Sequence, residues 1–292
     1  MIKTAVVGAS GYVGRRLLKA YREKHPDCVG TAFSRIQPGL TPFDIREPDL
    51  AALRLEETGH RALLIAAAQP SVHRCEEQKV ATRDVNVKGT LELIRQAGRA
   101  SLPVIFLSSD YVFSGPGPHD DGAAASPATE YGRQKALVEK EIPALAERYL
   151  ILRLSKIFGL EKGDGTLLDD LARSLSEGRE VLAAEDQLFC PTLVDDLSAA
   201  ILAIQERGLN GTLNVSGPEI WSRYRLATET ARALRADAAR IKRISLHDLP
   251  SMAGRPLDTS MTCSRLGKET EASFTPIGAC IERVAARWRG SN

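Results

Sequence analysis

Near its start the chain runs a short apolar segment, Thr4-Ala5-Val6-Val7, into three glycines at three-residue spacing, Gly8-Ala9-Ser10-Gly11-Tyr12-Val13-Gly14. A strand that ends in such a turn and continues as a helix is the opening unit of a parallel sheet covered by helices. The turn lets a pyrophosphate approach backbone N–H groups at the helix start, where the helix dipole favours negative charge. Gly8, Ser10, Gly11, Tyr12, Val13 and Gly14 are therefore the first candidate cofactor residues. The helix expected over residues 12–23 carries Val13, Leu17, Leu18 and Tyr21 at helical spacing and is closed by Pro26.

Further strands are expected at residues 29–33, 63–68, 104–107 and 150–154, with a short helix near 50–57 and a longer one over 84–100. The expected architecture is α/β, a Rossmann-type doubly wound parallel sheet with a smaller mixed α/β C-terminal lobe. Residues 1–160 would form the nucleotide-binding domain, with a returning segment near 192–217. Residues 161–292 would mainly form the substrate lobe. An NAD site usually places an acid about 20 residues beyond the glycines, to bind the ribose 2′-hydroxyl. Here that place holds Ser34 and Arg35, and no carboxylate lies between Asp27 and Asp44. A hydroxyl and a guanidinium suit a 2′-phosphate, so NADP(H) is preferred and NAD(H) stays open. Ala66, Ala67 and Ala68 close the third main strand with small side chains that let a cofactor pass; close helix packing is the alternative use.

The chemistry is carried by Tyr131-Gly132-Arg133-Gln134-Lys135, read with Ser108-Ser109-Asp110-Tyr111-Val112-Phe113. A tyrosine and a lysine four apart on a helix point the same way, so the ammonium is expected to lower the phenol's pKa from its ordinary value near ~10. Ser109, at the end of an apolar strand, would hold a carbonyl or alcohol oxygen beside Tyr131. Ser108 is placed at the same carboxyl edge, where ligands of doubly wound sheets bind. Tyr111 and Phe113 are candidates to stack on a substrate, with core packing as the alternative.

Gly8-x-x-Gly11-x-x-Gly14, the Ser109, Tyr131 and Lys135 set, and Arg153 followed by Phe158-Gly159 resemble the extended short-chain dehydrogenase/reductase family. Within it, residues 106–115 and Phe189-Cys190-Pro191-Thr192 with Asp195-Asp196-Leu197 are similar to dTDP-4-dehydrorhamnose reductases, and the likeness runs from Met1 to about Leu266. The resemblance implies NADPH-dependent reduction of a keto group on a nucleotide-linked sugar, with Ser109, Tyr131 and Lys135 catalytic. It also implies that Asp44 and Ile45 lie against the adenine, that Asn86 bonds structurally, and that Pro191 and Arg255 stand near the substrate's nucleotide. One departure is plain: the reductase branch often has a tryptophan in the run after Arg153, where this chain has Leu154-Ser155-Lys156-Ile157. An epimerase or dehydratase of the same superfamily, or a non-catalytic cofactor-binding regulatory subunit, are the other readings.

A formal net charge of +2 gives no electrostatic case for nucleic acid or an anionic membrane. The five cysteines are scattered and the five histidines show no ligand spacing, so neither a disulfide framework nor a metal is expected. No apolar run approaches the ~20 residues that span a bilayer, and a cytoplasmic protein is expected. Its partner would be a small nucleotide-sugar substrate, with a homodimer open as its assembly.

Overall fold

The protein is described by a computed structural model covering residues 2–252 and 254–289. Five strands, β1 (Thr4–Val7), β2 (Ala62–Ile65), β3 (Val104–Ser109), β4 (Tyr149–Leu154) and β5 (Gly211–Val215), lie side by side in that order and all run parallel. On the other side of β1, Gly30 bridges to Val6, and the short strands Thr31–Ala32 and Thr41–Pro42 continue outward. The chain thus starts in mid-sheet, builds one way, then crosses back to β2. That reversal opens a crevice at the carboxyl ends of β1 and β2, the place where doubly wound sheets bind ligands.

Strand alternation divides the core into two layers. Val6, Leu64, Ile105, Leu152 and Leu213 face Leu17, Leu18 and Tyr21 of α1 (Tyr12–Arg22) and Leu197, Ile201 and Ile204 of α5 (Val194–Glu206). Ala5, Val7, Leu63, Ile65, Val104, Phe106 and Ile151 face the other way. They meet Leu93, Ile94 and Ala97 of α2 (Thr90–Arg99) and Val138 and Ile142 of α3 (Glu130–Leu145). Because both faces are covered, the strands read as unbroken apolar runs.

A third core lies beyond the carboxyl edge. It joins Phe158, Leu168 of α4 (Leu167–Ser176), Phe189, Trp221, Leu226 of α6 (Arg223–Leu234), and Ile281 and Val284 of α7 (Ile277–Arg289). Short two-stranded ladders border it, Leu188–Phe189 with Trp221–Ser222 and Val181–Ala184 with Ile241–Ile244.

Three elements differ from expectation. Of residues 29–33 only Thr31–Ala32 form a strand. The helix near 50–57 is one 3₁₀ turn, Ala51–Leu53, stopped by Arg54 in the left-handed conformation (φ 49°). The segment 84–100 opens with a wide π-helical stretch, Asp84–Gly89, before α2. Gly89 there rests so closely on the Ile45 carbonyl that a Cβ would lie 1.9 Å from that oxygen. Among the described residues no helix is long and apolar enough to cross a membrane.

Candidate active site

The glycine turn is built by contact. Gly8 adopts φ +89°, and a Cβ on it would lie 2.4 Å from the amide nitrogen of Ala67. A Cβ on Gly14 would lie 2.2 Å from the Gly8 carbonyl oxygen. The end of β1, the start of α1 and Ala66 and Ala67 after β2 are therefore packed backbone on backbone, with Ala68 next in the chain. Gly11, which precedes α1, supplies no side-chain cap, so the first-turn N–H groups are left to other acceptors. This small-residue cradle fits a dinucleotide's pyrophosphate. Ser10 and Val13 are half-buried beside it. The Tyr12 hydroxyl donates to Asp164 Oδ2 (2.9 Å), and burial, then this carboxylate, raises its pKa above the ordinary phenol value.

Ser34 and Arg35 are exposed just beyond Thr31–Ala32. Asp44 and Ile45, the residues expected against the adenine, have partners within the protein. The Asp44 carboxylate is gripped by the Arg46 guanidinium through Nε (2.9 and 3.0 Å), which holds its pKa below the usual carboxylate range. Arg46 in turn lies over the ring of Phe33, 4.6 Å from its centroid. Ile45 is in the core, 6% exposed, because Gly89 lets the π-helical stretch press against it.

At the end of β3, alternation sends the paired serines to different partners. Ser108 is buried and gives its hydroxyl to Glu139 on α3, so its backbone is what it offers at the carboxyl edge. Ser109 reaches the crevice. Its Oγ donates to Asp110 Oδ1 (3.0 Å) and accepts from the Tyr111 amide (3.2 Å), and it lines one cavity with the Tyr131 phenol. Tyr131 is placed by α3, which Thr129 caps by accepting from the Gly132 amide (3.2 Å). Gly132 is required there: a Cβ would lie 2.0 Å from the Tyr111 carbonyl oxygen. Any larger residue would lever the helix, and the phenol, off the Ser109 turn.

The electrostatics differ from the expected lysine-activated phenol. Burial, then the Asp110 carboxylate, raises the Tyr131 pKa, against the pull of the neighbouring Ser109 hydroxyl. Lys135 Nζ instead donates to the Leu107 carbonyl (2.8 Å) and sits 4.5 Å from the Phe106 ring centroid, against 5.9 Å for Tyr131. Burial lowers the Lys135 pKa to about 8. Asn86 does bond structurally: its side chain accepts from the Gln69 amide (2.7 Å) and donates to the Gln69 carbonyl (3.0 Å) and to Gln134 (2.7 Å). It ties the loop after β2 to the helix of Tyr131 and Lys135.

Ser109, Asp110, Tyr111 and Tyr131 line a cavity of about 380 Å³, together with Lys156, Gln187, Phe189, Arg223, Arg255 and Thr259. Lys156 and Arg223 also border an adjoining space of about 590 Å³ that reaches Tyr12 and Asp164. A larger cavity, about 670 Å³, lies around His60, Pro103 and Arg148 at the amino ends of the strands, away from these groups. Two expected substrate residues are not in the lining. Phe113 is fully buried, stacked on His119 (4.4 Å) and under Arg153 (4.9 Å). Pro191 is buried, its carbonyl against Gly217.

Asp110 is the central group that sequence reasoning missed, although it stands inside the quoted motif. Its Oδ2 accepts from Ser155 (3.1 Å) and Thr259 (2.9 Å), and Oδ1 from Ser109. Burial raises its pKa to about 6, against the pull of these three hydroxyls. A carboxyl whose folded pKa lies above its unfolded value favours the fold while protonated, and that contribution fades as pH rises from about 4 through 6. The stability of the protein relative to Asp110→Asn should therefore fall by roughly 3 kcal/mol between pH 4 and pH 7. Urea unfolding of both proteins across that range checks this; a pH-independent difference would show that Asp110 titrates normally.

A family model described as RmlD substrate binding domain matches residues 2–289. Methionine adenosyltransferase 2 subunit beta of Danio rerio is 26% identical over 274 residues, covering 90% of this chain and 84% of that protein. The dTDP-4-dehydrorhamnose reductase of Sinorhizobium fredii is 25% identical over 277 residues, covering 91% and 90% respectively. Among solved structures, dTDP-4-dehydrorhamnose reductase from Bacillus anthracis str. Ames in complex with NADP superposes with a TM-score of 0.84 at 22% identity, covering 97% of this chain and 99% of that one.

Proposed function

From the membership of this chain in the RmlD substrate binding domain family, we propose that it catalyses NADPH-dependent reduction of a keto group on a nucleotide-linked sugar. The observation that carries this reading is that Ser109 and Tyr131 line one cavity, on the sheet edge that also bears the glycine cradle. When bound, NADPH supplies the hydride. Ser109 hydrogen-bonds the carbonyl oxygen, and Tyr131, whose raised pKa keeps it protonated at neutral pH, hands that oxygen its proton. Lys135, largely charged at pH 7, adds a buried positive charge next to the phenol as the proton leaves. Gly8, Ser10, Gly11, Tyr12, Val13 and Gly14 with Ala66 to Ala68 would hold the cofactor, and Ser34 and Arg35 its 2′-phosphate. The names of the reductase relatives and the NADP in the Bacillus anthracis structure support the cofactor and substrate class.

A second reading is a cofactor-binding subunit of another enzyme, favoured by the zebrafish relative's name. The test is NADPH oxidation by the purified protein against a panel of nucleotide-linked 4-keto-6-deoxy sugars. Turnover is expected with at least one of them. NADPH binding with no turnover on any would discard the reductase in favour of the subunit.

A further inference from the structure

A serine hydroxyl has one proton to give and two lone pairs to receive with, and most of that capacity at Ser109 is already committed. Its Oγ donates to Asp110 Oδ1 (3.0 Å) and accepts from the Tyr111 amide (3.2 Å). One lone pair is left, which can take a hydrogen bond from an alcohol. A ketone oxygen only accepts, so in this arrangement Ser109 has nothing to give it. Turning the proton away from Asp110 has a cost. That carboxyl is 5% exposed, and among the described residues Ser109 is the donor to Oδ1, while Ser155 (3.1 Å) and Thr259 (2.9 Å) donate to Oδ2. The turn would leave half of a buried carboxylate bare.

A proton on Asp110 resolves the conflict. Oδ1–H then donates to Ser109, which accepts twice and is free to donate once, to the ketone. Ser155 and Thr259 keep their bonds to Oδ2. We propose that Asp110 is a positioning residue that must carry a proton for Ser109 to hold a ketone, and that the ionised carboxylate turns Ser109 toward an alcohol instead. The surroundings suit such a change. Burial raises the Asp110 pKa to about 6, and Lys156, which Asp170 of α4 also attracts, is the charge that pulls it down. Tyr131 on α3, Tyr111 on the same turn and Cys190 beyond β4 all have raised pKa values and stay neutral beside it. Arg223 and Arg255 line the same cavity, and Asp258, next to Thr259, is taken up by Gly117 and Ser260. A diphosphate seated against these cations would offset Lys156 and raise the Asp110 pKa further. The proposal rests on the reductase reading above and adds to it a proton that is held and not consumed.

The test is the pH profile of NADPH oxidation by the full-length chain, from about pH 5.5 to about 8.5, with dTDP-4-keto-6-deoxyglucose and its UDP counterpart. On the base that is accepted, kcat/KM reports the groups of the enzyme before the sugar binds, and should fall about tenfold per pH unit above about 6. The limit at saturation, kcat, should hold to higher pH, because the bound diphosphate raises the Asp110 pKa. In Asp110→Asn the amide donates to Ser109 at every pH, so kcat/KM should stay level from about pH 6 to about 7.5. A level profile in the unaltered protein, or the same fall in Asp110→Asn, would overturn the proposal and leave the reductase reading standing. Should the variant fail to fold, calorimetry of the unaltered protein with NADP⁺ at pH 7, in Mops and in imidazole, decides instead. The ketone should take up at least about half a proton more than dTDP-glucose, whose 4-hydroxyl can donate; equal uptake would overturn the proposal. No turnover of either ketone would remove the reductase reading and this proposal with it.

Discussion

Tyr131→Phe should lower kcat for reduction by about 10²- to 10⁴-fold, the contribution of a positioned general acid. The dissociation constant for NADPH should stay within about twofold, because the substitution removes one hydroxyl and leaves the glycine cradle untouched. Stopped-flow hydride transfer and fluorescence titration separate the two quantities. A variant with more than a tenth of the original rate would show that another group delivers the proton. The direction of the pKa shift adds a second expectation. Burial and Asp110 keep the phenol protonated, so reduction, which consumes its proton, should run well at neutral pH, while the reverse oxidation should need alkaline conditions.

Glu139→Ala should destabilise the fold by about 3–5 kcal/mol, the cost of stranding a buried charge. Arg153 is 7% exposed and donates to both Glu139 oxygens, through Nε at 3.3 and 3.1 Å and through a terminal nitrogen at 2.8 Å. Its other terminal nitrogen donates to the Ala123 carbonyl (3.1 Å). Without the carboxylate, the guanidinium keeps only the Ala123 carbonyl and the Phe113 ring, and Ser108 loses its acceptor. Glu139→Gln should cost less, since the amide oxygen still accepts. Urea denaturation measures both; a loss below about 1 kcal/mol for Glu139→Ala would mean that water or a moved side chain replaces the carboxylate.

What could be read from sequence was set by how far apart the relevant residues lie along the chain. The glycine turn and its flanking strand and helix are one continuous segment, so the close approach at Gly8 and Gly14 follows from spacing alone. Ser109, Tyr131 and Lys135 come from one strand and the next long helix, and the structure brings Ser109 and Tyr131 to one edge. Neighbours were harder than distant pairs. Ser108 and Ser109 are chemically identical, and only the alternation of β3 sends one to Glu139 and the other to the crevice. Phe113 and Tyr111 look equally able to stack on a ligand. The first is covered because His119 returns over it, a contact made by a glycine- and proline-rich loop with no periodicity to read. Gln187, Arg223 and Thr259 could not be foreseen, since each becomes meaningful only when the chain beyond β4 folds back over the sheet edge.

Asp110 joins the hydroxyl of Ser109 to that of Thr259, 149 positions further along the chain. A proton on Ser109 and the placement of the late segment that carries Thr259 and Arg255 are consequently not independent. If that segment shifts as it grips a ligand, the carboxylate loses or gains a donor, and the balance of hydrogen bonds around Ser109 shifts with it. One buried carboxylate thus makes the bonding of Ser109 and the seat of a segment from the far end of the chain a single arrangement.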